Sequence, residues 1–254
     1  MSRVIVITSG KGGVGKTTTA VNLGAALNYF GEKVTIIDAN LTTPNIGIHF
    51  GAPVVPVNLN HVLLDKAELE EAVYEHSSGT KIIPASLSMK DFRKMNQGKL
   101  KTLRDKFKQL SDFIILDSAA GLGEEAISAI EVADELIIVT NPEMPAITDA
   151  LKAIKIAEEM KKPVLGVIIT RVKKNKTEMK PETVKEMLEV PILGMVPEDE
   201  MIQASLNARD AVMHIFPKAK ASRAYKEIAA KLTGRKYDSK KDMPTLWERL
   251  LGMK

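Results

Sequence analysis

The chain has 254 residues, 44% of them hydrophobic and 27% charged, with a formal net charge of +4 and no cysteine. That balance fits a folded, soluble domain and excludes disulfides and cysteine-ligated zinc or iron–sulfur centres. No apolar run approaches the ~20 residues a membrane-spanning helix needs, and the absence of cysteine fits a reducing, cytoplasmic setting.

In chain order, apolar β-type runs at 4–7, 34–37, 81–84, 113–116, 136–140, 164–170 and 192–196 predict strands. Helices are expected at 17–29, 68–75, 99–110, 124–132, 147–160, 181–188, 201–208 and 219–232. The strands are continuous apolar runs, as a parallel sheet covered on both faces requires. Strand and helix alternate, which predicts an α/β fold with a doubly wound, mostly parallel sheet and ligand at the strand C-terminal ends. Residues 1–233 are expected as one nucleotide-binding domain, 234–243 as a polar linker and 244–254 as a short terminal helix. The first strand leads straight into a glycine-rich segment, which leaves no room for a signal peptide.

That segment, Ser9-Gly10-Lys11-Gly12-Gly13-Val14-Gly15-Lys16-Thr17-Thr18, carries the phosphate-loop spacing from Gly10 to Thr17. Its glycines let successive N–H groups surround a phosphate at the positive end of the following helix. Lys16 places a charge on the β- and γ-phosphates, and the Thr17 hydroxyl is a ligand for Mg²⁺. A nucleoside triphosphate is therefore expected.

The second strand ends in Ile37-Asp38-Ala39-Asn40. Asp38 there either caps the following turn or reaches the metal and γ-phosphate, and both roles fit. The run Phe113-Ile114-Ile115-Leu116-Asp117 closes on a carboxylate, the pattern that supports a phosphate-bound Mg²⁺. Gly121, four residues on, is positioned to bring an N–H to the γ-phosphate. His49, His61, His76 and His214 are scattered, with no metal-ligand spacing.

The segment Lys11-Gly12-Gly13-Val14-Gly15-Lys16-Thr17-Thr18 resembles the deviant Walker A motif of the MinD/ParA ATPases. Asp117-Ser118-Ala119-Ala120-Gly121 resembles switch II of the MinD branch, and Thr140-Asn141-Pro142-Glu143 the segment after its next strand. Thr170-Arg171 and Val196-Pro197-Glu198-Asp199 are similar to its adenine-side loops, and the likeness runs from about residue 3 to 232. The resemblance implies ATP with Mg²⁺, hydrolysis to ADP and phosphate, and a homodimer that sandwiches two nucleotides. It implies that Lys11 reaches the partner's phosphates, that Arg171, Pro197, Glu198 and Asp199 border the adenine, and that an activating or cargo protein exists. Two departures bear on activity. Asn40 stands where the family usually has the Asp that orients the attacking water, and an amide cannot accept that proton, so hydrolysis is expected to be slow. Ala119 stands where switch II often has Pro.

MinD relatives end in a membrane-binding amphipathic helix. Here Leu246, Trp247, Leu250 and Leu251 share one stripe at helical spacing, opposite Glu248 and Arg249. Residues 235–254 hold six basic and three acidic side chains, a net +3 that favours an anionic membrane surface. The same segment could instead dock on its own domain. Basic runs at 171–180 and 218–226 allow a rival reading, non-specific DNA binding in the manner of ParA relatives, although such runs are commonly solvated faces.

Overall fold

The computed structural model describes residues 2–88, 97–173 and 175–243. One sheet of eight strands organises them. They are β1 (Arg3–Thr8), β2 (Val34–Ala39), β3 (Tyr74–Glu75), β4 (Lys81–Ile83), β5 (Phe113–Ser118), β6 (Glu135–Thr140), β7 (Val164–Val172) and β8 (Ile192–Pro197). Their spatial order is β3-β4-β2-β5-β1-β6-β7-β8, parallel throughout except for the β3–β4 pair. The fold is the doubly wound α/β class expected from the strand pattern.

The helices are α1 (Lys16–Tyr29), α2 (Ile46–His49), α3 (Leu59–Leu63), α4 (Arg104–Leu110), α5 (Glu124–Val132), α6 (Met144–Glu159), α7 (Pro181–Leu188), α8 (Glu200–Asn207), α9 (Val212–Ile215) and α10 (Lys220–Thr233). Each sheet face buries its own core. Val4, Val6, Ile37, Ile114, Leu116, Leu136 and Ile138 meet α3 to α7 on one side. Ile5, Ile7, Ile36, Ile115, Ile137 and Val139 meet α1, α9 and α10 on the other. Side chains alternate between faces along each strand, so a run apolar at every position is the pattern that two covered faces demand.

One expected helix does not form. Residues 68–75 give a single 3₁₀ turn, Leu69–Ala72, closed at its start by the Glu68 and Glu71 side chains, and the chain then turns into β3. Tyr74 pairs with Ile82, and its hydroxyl donates to the Val57 carbonyl and accepts from the Val57 N–H. Pairing along a free sheet edge outweighs a helix of two turns, which is marginal alone. Likewise, residues 97–103 are 3₁₀ and become α-helical only from Arg104. Helix α10 ends at Gly234 in the left-handed conformation, φ 66°, where the composition change was expected to end the domain.

Residues 235–243 run back along the domain. The Lys226 ammonium, almost wholly buried, bonds Asp242 at 2.6 Å, and the Tyr237 hydroxyl bonds the same carboxylate at 2.7 Å. Arg235 pairs with Glu32 at 2.8 Å. The expected membrane stripe, Leu246, Trp247, Leu250 and Leu251, lies outside the described residues. No helix among the described residues is long and apolar enough to cross a membrane.

Candidate active site

The phosphate loop joins β1 to α1 at the C-terminal edge of the sheet. Gly15, at φ 93°, is the N-cap of α1, and Gly13 is also left-handed at φ 76°. A side chain at Gly15 would be strained in that conformation. Gly10 is needed for a different reason: a Cβ there would lie 2.1 Å from the Asp149 carbonyl oxygen of α6. Gly12 lies beside Ala120, with 3.7 Å between its would-be Cβ and the alanine methyl, and the Gly121 N–H donates to the Ser9 carbonyl at 3.1 Å. The loop after β5 is thus tied onto the phosphate loop, and Gly121's N–H is engaged there.

Thr170, at the end of β7, braces the loop from below. Its hydroxyl lies 2.5 Å from the Val14 carbonyl, 2.9 Å from Asn141 Oδ1 and 3.2 Å from the Thr140 carbonyl. Its single hydrogen serves the nearest of these, which fixes the Val14 carbonyl away from any bound phosphate.

A cavity of about 330 Å³ opens in front of the loop, lined by Gly13, Gly15, Lys16, Thr17, Asn40 and Arg171 among others. Lys16 is 8% exposed, and burial lowers its pKa against the opposing pull of Asp117. Lys11, in contrast, lies at the surface, its side chain 43% exposed and its ammonium 3.9 Å from Glu143.

Asp38 and Asp117 are direct partners across β2 and β5, and both are fully buried. Burial pushes Asp117 up to about 6, while the neighbouring Thr17 hydroxyl and Lys16 ammonium draw it back. Neither Asp117 oxygen has a hydrogen-bond partner, so the Thr17 hydroxyl acts on it without the geometry of a formed bond. Asp38 is pushed well above the carboxylate range by burial and by Asp117, although three backbone N–H groups favour its charge. Those donors are Asn40 at 3.2 Å, Asn45 at 2.8 Å and Ile46 at 2.9 Å. Asp38 therefore holds the loop that follows β2 and the start of α2, which is the turn-capping role of its two expected ones. A buried carboxylate with two unpartnered oxygens beside a threonine hydroxyl and a lysine fits a divalent cation carried by a phosphate.

Asn40 is 7% exposed, and its amide closes its own turn. Nδ2 donates to the Thr43 carbonyl at 2.7 Å, and Oδ1 accepts from the Thr43 N–H at 3.2 Å.

A second cavity, about 650 Å³, continues from Gly15 and Thr18 toward the other side of α1. Arg171, Pro197, Glu198 and Asp199, which the resemblance put beside the adenine, all line it. The Asp199 carboxylate is committed, however: one oxygen caps α8 through the Met201 N–H at 3.0 Å, and the other accepts the Ala221 N–H of α10 at 3.0 Å. Glu198 pairs with Lys173 at 3.1 Å, and its N–H donates to the Val172 carbonyl. What Asp199 presents to the cavity is a fixed turn, not a free acceptor.

Sequence reasoning gave no role to His49, Thr170 or Tyr225. His49 lines both cavities, and burial lowers its pKa to about 4. Tyr225 lines the larger cavity, and its hydroxyl meets Thr19 of α1 at 3.2 Å. No motif marks His49 or Tyr225, because each arrives from an element remote in sequence from the phosphate loop. Thr170 and Asn141 lay in segments noted only for resemblance.

Residues 1–233 match the ParA family model, described as NUBPL iron-transfer P-loop NTPase. An uncharacterized ATP-binding protein of Methanocaldococcus jannaschii is 40% identical over 239 residues, 94% of this chain and 90% of the relative. The septum site-determining protein MinD of Synechocystis sp. is 33% identical over 242 residues, covering 92% of this chain and 90% of that protein. The structure of MinD complexed with Mg-ADP from Pyrococcus horikoshii OT3 superposes with a TM-score of 0.88 at 33% identity, over 91% of this chain and 96% of the other.

Proposed function

The chain belongs to the ParA family of P-loop NTPases, and from that premise we propose that it is a MinD-like ATPase whose two subunits close over ATP to organise another component of the cell. One observation carries the reading. The phosphate loop has two lysines, and only Lys16 lines its own phosphate cavity, while Lys11 lies at the surface beside Glu143. A γ-phosphate adds charge at that rim, which a second subunit's Lys11 neutralises on closing, so dimerisation is linked to ATP.

Within each subunit, Lys16 balances the β- and γ-phosphates, and the loop N–H groups at the start of α1 hold them. Thr17 and Asp117 would hold Mg²⁺, which neutralises charge that develops on the phosphates. Asp38 acts through the loop it caps. Arg171, Pro197 and the turn at Glu198 and Asp199 border the base. Gly121 exchanges its bond to the Ser9 carbonyl for the γ-phosphate, which couples the loop after β5 to the nucleotide state. The amide of Asn40 cannot take a proton from water, so turnover is slow and the ATP dimer is long-lived. Each dimer carries two C-terminal segments, so that weak individual attraction to an anionic membrane adds up only with ATP. Iron transfer does not suit this chain, which has no cysteine to hold iron or a cluster.

Analytical ultracentrifugation of the full chain with ATP or ADP tests the proposal. We expect a dimer with ATP alone, and a Lys11→Ala variant that binds ATP yet stays monomeric. A wild-type chain monomeric with ATP, or a Lys11→Ala variant that dimerises as well as wild type, overturns it.

A further inference from the structure

Beside Phe50, which follows α2, and outside the lining of the phosphate cavity, the fold assembles two histidines and an aspartate from segments distant in sequence. His76 follows β3 in the hairpin to β4, while Asp210 and His214 belong to the turn after α8 and to α9. We propose that these three residues form a binding site for one divalent transition-metal ion of the zinc type, distinct from the nucleotide site and independent of the function proposed above.

The geometry carries the proposal. One ligand atom from each residue comes within 4.8 Å of the other two. His214 Nδ1 lies 2.7 Å from Asp210 Oδ1, and His76 Nε2 lies 3.6 Å from the same oxygen. Metal–ligand bonds of about 2.0–2.1 Å in a tetrahedron set ligand atoms about 3.4 Å apart, a spacing within that range. The 3.6 Å separation is too long for a hydrogen bond, so the His76 nitrogen faces the carboxylate without bonding it. Each of the three side chains keeps about a fifth of its surface, 17–20%, open to solvent, which leaves a path for the ion and a position for water. Two imidazole nitrogens and one carboxylate oxygen select zinc, cobalt, nickel or copper over magnesium or calcium.

The surroundings orient His76 for this role. Its Nδ1 meets Ser78 Oγ at 3.0 Å, and that hydroxyl passes its own hydrogen to Thr80 Oγ1 at 3.2 Å. Nδ1 also accepts the Ser78 backbone N–H at 3.3 Å, and together these contacts hold the ring with Nε2 turned toward Asp210. Phe50 packs against the His76 ring at 5.2 Å between centroids, and the two imidazoles lie 8° from parallel at 5.5 Å. Binding requires His214 to turn its Nδ1 from the Asp210 oxygen, 2.7 Å away, onto the ion.

The test uses the untagged full chain, stripped with chelator and then titrated with cobalt(II) and zinc(II) under excess Mg²⁺ to keep the nucleotide site from competing. The visible d–d spectrum of cobalt and calorimetric stoichiometry are read together. We expect one cobalt per chain and displacement by zinc. His76→Gln and His214→Gln should each weaken binding more than about tenfold, Ser78→Ala roughly tenfold through ring orientation, and His61→Gln not at all. Unfolding curves in chelator establish that each variant is folded, and zinc should raise the unfolding midpoint of the wild type and of His61→Gln more than those of His76→Gln and His214→Gln. No cobalt binding by the wild type, or unchanged binding by both folded glutamine variants, overturns the proposal.

Discussion

At the scale of single residues, the site sets two carboxylates and an imidazole against their own solvation. Asp38 and Asp117 are neighbours across the sheet, yet Asp38 has three N–H donors and Asp117 has none. One is held by the backbone around it, and both oxygens of the other lack a hydrogen-bond partner. His49 shows the opposite shift. Burial lowers its pKa from 6.5 to about 4, so the unfolded chain takes up a proton that the folded chain refuses. The neutral histidine's stability is complete above the unfolded pKa and is lost as pH falls from about 6.5 toward 4. His49→Gln in the nucleotide-free protein should therefore recover about 2 kcal/mol of unfolding free energy at pH 4.5 relative to its effect at pH 7.5, checked by denaturant titration at both pH values. Asn40 supports a second expectation. Asn40→Asp removes the amide that donates to the Thr43 carbonyl, which costs about 1 kcal/mol of stability, and supplies a carboxylate able to take a proton from water. Phosphate release should rise above wild type. No gain in a folded Asn40→Asp protein would mean that Asn40 does not limit turnover.

At the scale of elements, the phosphate loop is shaped by contacts from strands and helices that the local motif does not contain. Gly10 lies against α6, the Val14 carbonyl is held by Thr170 of β7, and Ser9 receives the N–H of Gly121 after β5. The chemistry of Lys16 and Thr17 was legible in their spacing, because a phosphate loop is a local backbone device. The brace was not, since a threonine at the end of a strand carries no signal of what lies beneath it. Thr170→Val keeps the shape and leaves the buried Val14 carbonyl without its donor. It should lower stability by about 1–3 kcal/mol and weaken ATP binding, measured by thermal unfolding and by calorimetry. The helix expected over residues 68–75 failed for a related reason. A free sheet edge recruited Tyr74 instead.

At the scale of the whole molecule, the nucleotide cavities and the C-terminal segment share one structural path. Tyr225 borders the larger of the two cavities, and its neighbour Lys226 anchors Asp242, immediately before the amphipathic stretch. Partial insertion of four apolar side chains would contribute about 3–6 kcal/mol per tail, marginal for one copy, and a dimer gains about 100-fold in avidity. The full chain should sediment with anionic liposomes in ATP but not in ADP, and a chain ending at Met243 should lose sedimentation while retaining ATP binding. Equal sedimentation in both nucleotides would separate the tail from the switch.

What the sequence determined by itself were those features that local chemistry enforces. Strands apolar at every position require two covered faces, and a glycine loop bearing Lys16 and Thr17 at the start of a helix requires a phosphate. The absence of cysteine likewise removes a class of metal chemistry at any fold. Tertiary structure alone decided which of Asp38 and Asp117 is spoken for and that the Asp199 carboxylate caps two helices. It also brought His76 beside Asp210 and His214. These outcomes depend on which backbone N–H or side chain arrives from a distant element, and hydrogen bonding and charge act over a few ångströms of space, whatever the separation along the chain.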